Sequence, residues 1–254
     1  LIVLHPIYAN VYISLLFRAL GAKVGKNTEI STASSVTHPL LVIGKGAFVA
    51  DAVTLGESDV RGQQLILERT VIGNNSFVGN SALIPQGYEL PGRMLIGVLS
   101  TPPSKDQLAK EEARDWFGSP AIALPRRQAS RTFATELTAR PSAQKVLARS
   151  IVEFLRIILP ETVILICSIL FIAYAHDLVV EKPWWKVMLY LPFYYLYYMG
   201  LPTVLVTLIL KWITVGIYKP EQKPMGTSKV WRSEAITSTY EALSVPFLLD
   251  FMRG

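Results

Sequence analysis

Cysteine, histidine and charge are all scarce in this chain of 254 residues, and each scarcity removes a class of chemistry. A single cysteine, Cys167, excludes an internal disulfide and a cysteine-based metal site. The three histidines, His5, His38 and His176, stand far apart, so no metal site is expected within the chain. Charged residues make up 17% of the chain and hydrophobic ones 51%, where a soluble domain carries about 25% charge. The missing charge is concentrated in the second half, which points to a lipid bilayer as partner. Lysine and arginine outnumber acidic residues 25 to 19. No aromatic–basic interleaving or nucleic-acid motif accompanies that excess, so no nucleic-acid partner is expected.

What the chain has instead is a six-residue period. In the run 71–97 an aliphatic residue recurs at every sixth position: Ile72, Val78, Ile84, Leu90 and Ile96. A small or turn-forming residue follows each one: Gly73, Gly79, Pro85, Pro91 and Gly97. That period fits neither an amphipathic helix nor a hairpin. It predicts a left-handed parallel β-helix, each hexapeptide forming one short face of a triangular coil. Ile72, Val78, Val49, Ile84 and Leu90 are expected to point inward, with the following residue at the bend. The pattern opens at Val24-Gly25 and Ile30-Ser31 and continues through Ile43-Gly44, Val49-Ala50 and Leu55-Gly56. Residues 31–42 and 57–71 leave the count and read as loops or irregular coils. At eighteen residues per turn, residues 24–99 hold about four coils, enough for a solenoid to bury its interior.

The flanks read differently. Residues 11–20 predict a short amphipathic helix ending at Gly21, suited to capping the first coil. Residues 1–8 read equally as the tail of a preceding membrane helix. Beyond the coils, a short charged helix is expected over 107–116. Residues 187–210 carry no charge, and a helix of that length spans about 36 Å, more than the ~30 Å hydrocarbon core. Residues 157–175 form a second apolar stretch, interrupted by Pro160 and Glu161. Trp184 and Trp185 before the later span and Trp212 after it occupy belt positions. Arg126, Arg127, Arg131, Arg140, Lys145, Arg149 and Arg156 precede the first span. Lys211, Lys219, Lys223, Lys229 and Arg232 follow the second. The connecting loop has only Lys182 and Lys186, beside Asp177 and Glu181. The positive-inside rule then predicts an integral membrane protein with its β-helix on the cytoplasmic side. A further helix is expected over Trp231–Leu243.

The expected class is therefore mainly β: a left-handed parallel β-helix of hexapeptide repeats followed by a transmembrane α-helical hairpin. Its parts are a capping helix within 1–23, the β-helix with its exit over 24–127, a linker over 128–150, the hairpin over 151–215 and a cytoplasmic helical segment over 216–254. The chain opens at Leu1 inside an apolar run, with no recognisable signal peptide, and reads as a segment cut from a larger polypeptide.

Two local patterns carry a resemblance. Leu15-Leu-Phe-Arg-Ala-Leu-Gly-Ala-Lys-Val-Gly-Lys-Asn-Thr28 resembles the helix-to-first-coil passage of hexapeptide-repeat acyltransferases. Gly118-Ser-Pro-Ala-Ile-Ala-Leu-Pro-Arg-Arg127 resembles their exit segment after the last coil. Combined with the membrane spans and with the later stretches Tyr218-Lys-Pro, Val230-Trp-Arg-Ser-Glu-Ala and Tyr240-Glu-Ala-Leu-Ser-Val-Pro-Phe247, nearly the whole chain resembles one family. It is the membrane-bound C-terminal region of nonribosomal peptide synthetases of the ε-poly-lysine synthetase type. The resemblance implies upstream adenylation and carrier domains, a further β-helical domain after residue 254, and amide formation between amino acids held as carrier thioesters. The cofactor it implies is the phosphopantetheine arm of the carrier, near Gly118, Ser119, Pro120 and Ala121.

Acyltransferases of this kind often use one histidine as general base and a backbone N–H to hold the oxyanion. His38, in Ser34-Ser-Val-Thr-His-Pro-Leu40, is the only histidine inside the repeat region. It reads either as that catalytic base or as a loop histidine held before Pro39. Glu57, Asp59 and Glu68 could attract a cationic substrate or be solvated loop charges. Asn74, Asn75 and Asn80 suit tight bends, and His176 with Asp177 suits a membrane interface. Glu161 reads as an interfacial residue, or as functional if it faces a cavity. The alternative to a transferase is a non-catalytic β-helical scaffold that anchors synthetase domains at the membrane.

Overall fold

The computed structural model describes residues 11–31, 33–110, 114–125, 142–224 and 226–249. The chain divides into two compact units, Leu1–Thr132 and Phe133–Gly254.

The first unit opens with helix α1 (Val11–Ala19) and then winds in rounds of short strands. Round one is β1 (Lys23–Val24), β2 (Glu29–Ile30) and β3 (Ala33–Ser34). Round two is β4 (Leu41–Ile43), β5 (Phe48–Val49) and β6 (Val53–Leu55). A hairpin of β7 (Asp59–Arg61) and β8 (Gln64–Ile66) follows. Round three is β9 (Thr70–Ile72), β10 (Phe77–Val78) and β11 (Leu83–Ile84), and round four supplies β12 (Glu89–Leu90) and β13 (Leu95–Ile96). The strands of successive rounds pair in parallel, so that three sheets grow side by side: β1-β4-β9-β12, β2-β5-β10-β13 and β3-β6-β11.

Register explains why the six-residue period exists. Val24, Ile43, Ile72 and Leu90 stand one above another in the first sheet. Ile30, Val49, Val78 and Ile96 do the same in the second, and Leu55 and Ile84 in the third. Apart from half-buried Val24, these side chains are buried, and all of them belong to or pack against one core that also takes Ile13 and Phe17 of α1. Ile72 and Leu90, like Val78 and Ile96, are 18 residues apart. Ile43 and Ile72 are 29 apart, because the β7–β8 hairpin is spliced between rounds two and three. The stretch 57–71 thus leaves the count as a hairpin followed by a regular strand. Residues 31–42 hold β3 and a single 3-10 turn, His38–Leu40. At several of the bends the residue after the aliphatic one has no room for a side chain. A Cβ on Gly79 would lie 2.7 Å from the carbonyl carbon of Gly97 in the next round.

The expectation of a helix over 107–116 is corrected. Helix α2 covers Lys105–Ala109, and Asp115–Phe117 is strand β14, parallel to β13, followed by antiparallel β15 (Ile122–Ala123). Trp116 is the physical reason. It pairs with Ile96 as one more rung, and its buried ring closes the end of the core, which needs extended backbone.

The second unit is helical: α3 (Ala143–Glu181), α4 (Trp184–Tyr195), a π-helical turn Leu196–Gly200, α5 (Leu201–Thr214) and α6 (Ser228–Thr239). A π-helical stretch, Tyr240–Leu249, extends α6, so the helix expected over Trp231–Leu243 is longer at both ends. The stretches 157–175 and 187–210 lie inside Ala143–Glu181 and Trp184–Thr214, the two helices long and apolar enough to cross a membrane. Many of their large aliphatic side chains, among them Leu165, Ile166, Ile169, Ile172 and Leu205, point outward, while Leu178 and Met199 are buried. The buried positions include small or hydroxyl-bearing Cys167, Ala175, Gly200, Thr203, Thr207, Thr239 and Ser244.

Candidate functional site

The last round of the coil and the segment leaving it form the most elaborated surface of the first unit. After β13 the chain bends at Gly97, over which the Phe117 ring lies so closely that a Cβ there would sit 2.5 Å from its Cδ2. Ser100 is buried and acts as a clasp. Its hydroxyl donates to the Val98 carbonyl at 2.9 Å and accepts from the Gly118 amide at 2.8 Å. The Thr101 amide donates back to the Gly118 carbonyl at 3.1 Å, and the Leu83 amide to the Ser100 carbonyl at 3.0 Å. The exit segment is thereby tied to the coil at two of its faces.

Gly118, Ser119, Pro120 and Ala121 form the turn from β14 to β15. Gly118 takes a φ of 94°, a left-handed value suited to glycine, and the Ser119–Pro120 bond is cis. Ala121 packs against the core, while Phe117, Ile122, Val98 and Leu99 are exposed. The result is an apolar strip beside β15, which is the terminal strand of its sheet among the described residues. A terminal strand leaves backbone donors and acceptors free to pair with an extended ligand.

A groove of about 500 Å³ opens between α2 and the first sheet, lined by Val71, Gly87, Glu89, Leu90, Pro91, Lys105, Leu108 and Ala109. Ser104 and Gln107 close a capping box that fixes the start of α2, and Leu108 packs onto the core. Lys105 reaches over the Tyr88 ring at 5.6 Å. A second groove, about 400 Å³, lies at the other end of the coil and is bordered by Arg18, Lys23 and Lys45. There the Arg18 guanidinium donates to the carbonyls of Val24 and Gly25, which spends part of its donor capacity on the fold.

His38 belongs to that far end. It starts the 3-10 turn between β3 and β4, and its ring meets Phe17 of α1 edge-to-face at 4.8 Å. Burial pushes its pKa below the usual histidine value, so the neutral imidazole is favoured at physiological pH. Four strand spacings, roughly 19 Å, separate the first round from β14, so the fold does not bring His38 and the Gly118–Ala121 turn together.

The other singled-out residues are accounted for locally. Asp59 pairs with Arg61 at 2.6 Å on the hairpin. Asn74 accepts from the Lys45 amide at 2.8 Å and Asn80 from the Asp51 amide at 3.3 Å, tying bends of adjacent rounds. Asn75 takes a left-handed φ of 56°. His176 and Asp177 form an exposed pair at 3.4 Å, and Glu161 is exposed on α3. Arg126, Arg127, Arg131 and Arg140 lie outside the described residues. The Ser100 clasp and the groove under α2 were not foreseen from sequence. The Ser-x-x-Gln spacing of Ser104 and Gln107 is the signal that marks the start of α2.

No family model matches the chain. The chain is 41% identical over 251 residues to a delta-poly-L-ornithine synthetase from Acinetobacter baumannii strain AB307-0294; that alignment covers 99% of this chain and 19% of the relative. The chain thus spans about a fifth of the length of the curated relative it matches. The similarity supports a family of the poly-amino-acid synthetase type. Among solved structures, AntD, an N-acyltransferase from Bacillus cereus, matches in two liganded crystal structures. A point mutant with dTDP and coenzyme A gives a TM-score of 0.28 at 13% identity, covering 45% of this chain and 89% of that one. The complex with dTDP and 3-hydroxybutyryl-CoA gives 0.25 at 14% identity, covering 45% and 88%. Both scores are too low for a shared fold to be argued from them.

Proposed function

We propose that this chain is a segment of a membrane-bound, single-module nonribosomal peptide synthetase, in which the first unit is a left-handed parallel β-helix that assists amide formation between amino acids held as carrier thioesters. The observation that carries the reading is the identity of 41% sustained over 251 residues, because it runs through both the coil and the apolar helices. The geometry adds support. An extended pantetheine arm has two amides and an apolar stem, and the edge of β15 offers free backbone groups beside exposed Phe117 and Ile122. In the reaction the acceptor amine nitrogen attacks the thioester carbonyl carbon. The C–S bond breaks, the amine proton passes to a base and from it to the departing sulfur, and the carrier arm leaves as thiol.

In this reading the two apolar helices form a transmembrane hairpin. Its outward aliphatic side chains meet lipid, and the coil faces the cytoplasm, where adenylation and carrier domains of the same synthetase deliver the thioester. His38 is the proposed base. The test uses the full-length synthetase in membranes, following carrier loading and polymer formation separately. His38→Ala is expected to lower polymer formation by about 10²–10⁴-fold with loading intact. Unchanged polymer formation removes His38 from the chemistry. Polymer formation that survives removal of residues 24–125 overturns a role for this coil altogether.

The four strand spacings, roughly 19 Å, between the first round and β14 favour a second reading, in which this coil is a scaffold that docks the carrier and another domain carries the base. Substituting Ile122 with Pro spoils the β15 edge and is expected to lose carrier binding in a pull-down under either reading. His38→Ala separates the two: a docking scaffold keeps polymer formation with that variant, and a His38-centred transferase loses it.

A further inference from the structure

The stretch 216–254 has the sequence of a soluble tail: it begins with Lys219, Glu221 and Lys223 and continues into the polar helix Ser228–Thr239. Its packing says otherwise. Helix α6 and its π-helical continuation run antiparallel to α5, and the contacts between them can be followed turn by turn. At the start, the Arg232 guanidinium donates to the Thr214 carbonyl at 3.0 Å, and Tyr218 and Ser233 share a hydrogen bond of 2.9 Å. Further along, the buried Ser244 hydroxyl donates to the buried Thr207 hydroxyl at 3.1 Å. Near the end, the Phe247 carbonyl stands beside Gly200, 3.5 Å from where a Cβ would be, and the Phe247 ring lies 6.2 Å from that of Tyr195.

The two helices keep pace over this distance. Thr214 to Gly200 is about 21 Å of helix and Arg232 to Phe247 about 22 Å. Gly200 and Tyr195 sit in the middle of the apolar helix Trp184–Thr214, whose flanking tryptophans mark the interfaces. An element level with them at Phe247 is level with the centre of the bilayer.

The chemistry of the contact also belongs to a membrane. Beside the Phe247–Tyr195 ring pair it uses glycine, threonine and serine, and within α5 and the turn before it Thr203 donates to the Met199 and Gly200 carbonyls at 2.8 Å each and Thr207 to the Thr203 carbonyl at 2.9 Å. Small residues and hydroxyls are what membrane helices use to approach and hold one another. Both elements are π-helical at the contact, Leu196–Gly200 on one side and Tyr240–Leu249 on the other. Sequence and position agree as well. The charged side chains Lys229, Arg232 and Glu234 belong to the first turns, whereas the positions after Glu241 are Ala242, Leu243, Ser244, Val245, Pro246 and Phe247.

Resting on the hairpin reading above, we infer that residues 240–249 are a third intramembrane element, which enters from the Trp212 side and reaches the centre of the bilayer against α5; its partner on the outer face is lipid. The polar first turns hold the interface, where Arg232 caps the last turn of α5.

Cysteine accessibility tests this in the 254-residue chain, whose own Cys167 is first replaced by alanine. Single cysteines are placed at Lys223, Leu205 and Pro246. All three side chains are exposed on the protein surface, so only lipid can shield them. A water-soluble maleimide is applied to open membrane sheets. Labelling is expected at 223 and lost at 205 and 246, because the reactive thiolate forms only in water; all three should label in dodecyl sulfate. Val245→Cys repeats the measurement for the case in which Pro246→Cys does not accumulate. Labelling at 246 or 245 with 205 protected overturns this inference and leaves the hairpin standing. Labelling at 205 overturns the hairpin reading, and the inference falls with it.

Discussion

The two units of this chain solve opposite problems with the same alphabet. In the first, aliphatic side chains are inside: Ile30, Val49, Val78 and Ile96 form one buried column, and polar bends face outward. In the second, many aliphatics are outside, and the interior mixes hydroxyls and small residues such as Thr203, Thr207, Ser244, Ala175 and Gly200 with a few large side chains, Leu178, Met199, Trp231, Ile236 and Leu243, and with Glu153 buried against Arg149 at 2.7 Å. Burial of apolar area drives the first arrangement. It cannot drive the second in a bilayer, where tails are as apolar as leucine and packing and hydrogen bonds hold helices together. The inversion is what a lipid-facing second unit requires, and two of its helices are long and apolar enough to cross a membrane.

The comparison breaks most sharply under the same substitution made on each side. Val78→Asp puts an unpaired charge into the coil, which no neighbour can satisfy. Loss of the folded unit is expected, read as rapid proteolysis of the first unit while the apolar helices of the second stay protected. A normal protease-resistant fragment would show that Val78 is not a core residue. Ile169→Asp acts on an exposed side chain of α3 and would be almost neutral in a soluble protein. In a membrane it should cost about 2.5–3.5 kcal/mol of insertion, seen as protein shifted from the membrane to the soluble or degraded fraction. Unchanged membrane retention would refute the inversion.

Smaller changes sharpen it. Gly79→Ala forces a Cβ against the Gly97 carbonyl carbon at 2.7 Å, and a loss of about 1–3 kcal/mol is expected from overpacking, measured as a lower midpoint in a denaturant titration of the first unit's tryptophan signal. Ser244→Ala removes the hydroxyl bond to Thr207, and membrane-helix hydrogen bonds average only about 0.6 kcal/mol. A small fall in resistance to dodecyl sulfate is expected, and collapse of the helical unit would contradict a modest role for that bond.

The smallest effect concerns acid. Burial lowers the His38 pKa, so the unfolded chain binds a proton more readily than the folded one as pH falls from neutrality. Stability is then full above the unfolded value of about 6.5 and is lost as pH falls through that value toward the lowered folded one. His38→Gln should flatten the acid limb of a melting-temperature profile between neutral and acidic pH. An unchanged limb would assign that sensitivity to other groups.

How much was legible varied with how local the cause was. The inward column was legible because each hexad carries its own aliphatic residue and its own tight bend, and stacking repeats that local rule. The β7–β8 hairpin was visible only as a break in the count, since its residues Asp59 to Ile66 pair with each other and not with the coil. Strand β14 was misread as helix because the charged residues around it suit a helix surface, while the rung made by Trp116 on Ile96 depends on a partner twenty positions away. The Ser100 clasp on Gly118 was invisible for the same reason. His38 was found as a residue, but its distance from the exit turn follows from the number of rounds stacked between them.

By itself the sequence determined the six-residue period, the three-sided winding it demands, the two apolar stretches and the scarcity of groups able to hold a metal, because composition and spacing act through neighbours in the chain. Only tertiary structure decided which residues meet across rounds, that Gly118 is pinned by Ser100, and that the polar-looking start of 228–249 leads into a helix lying along α5. Those contacts join residues far apart in sequence, and their free energy exists only once both partners have been brought to the same place.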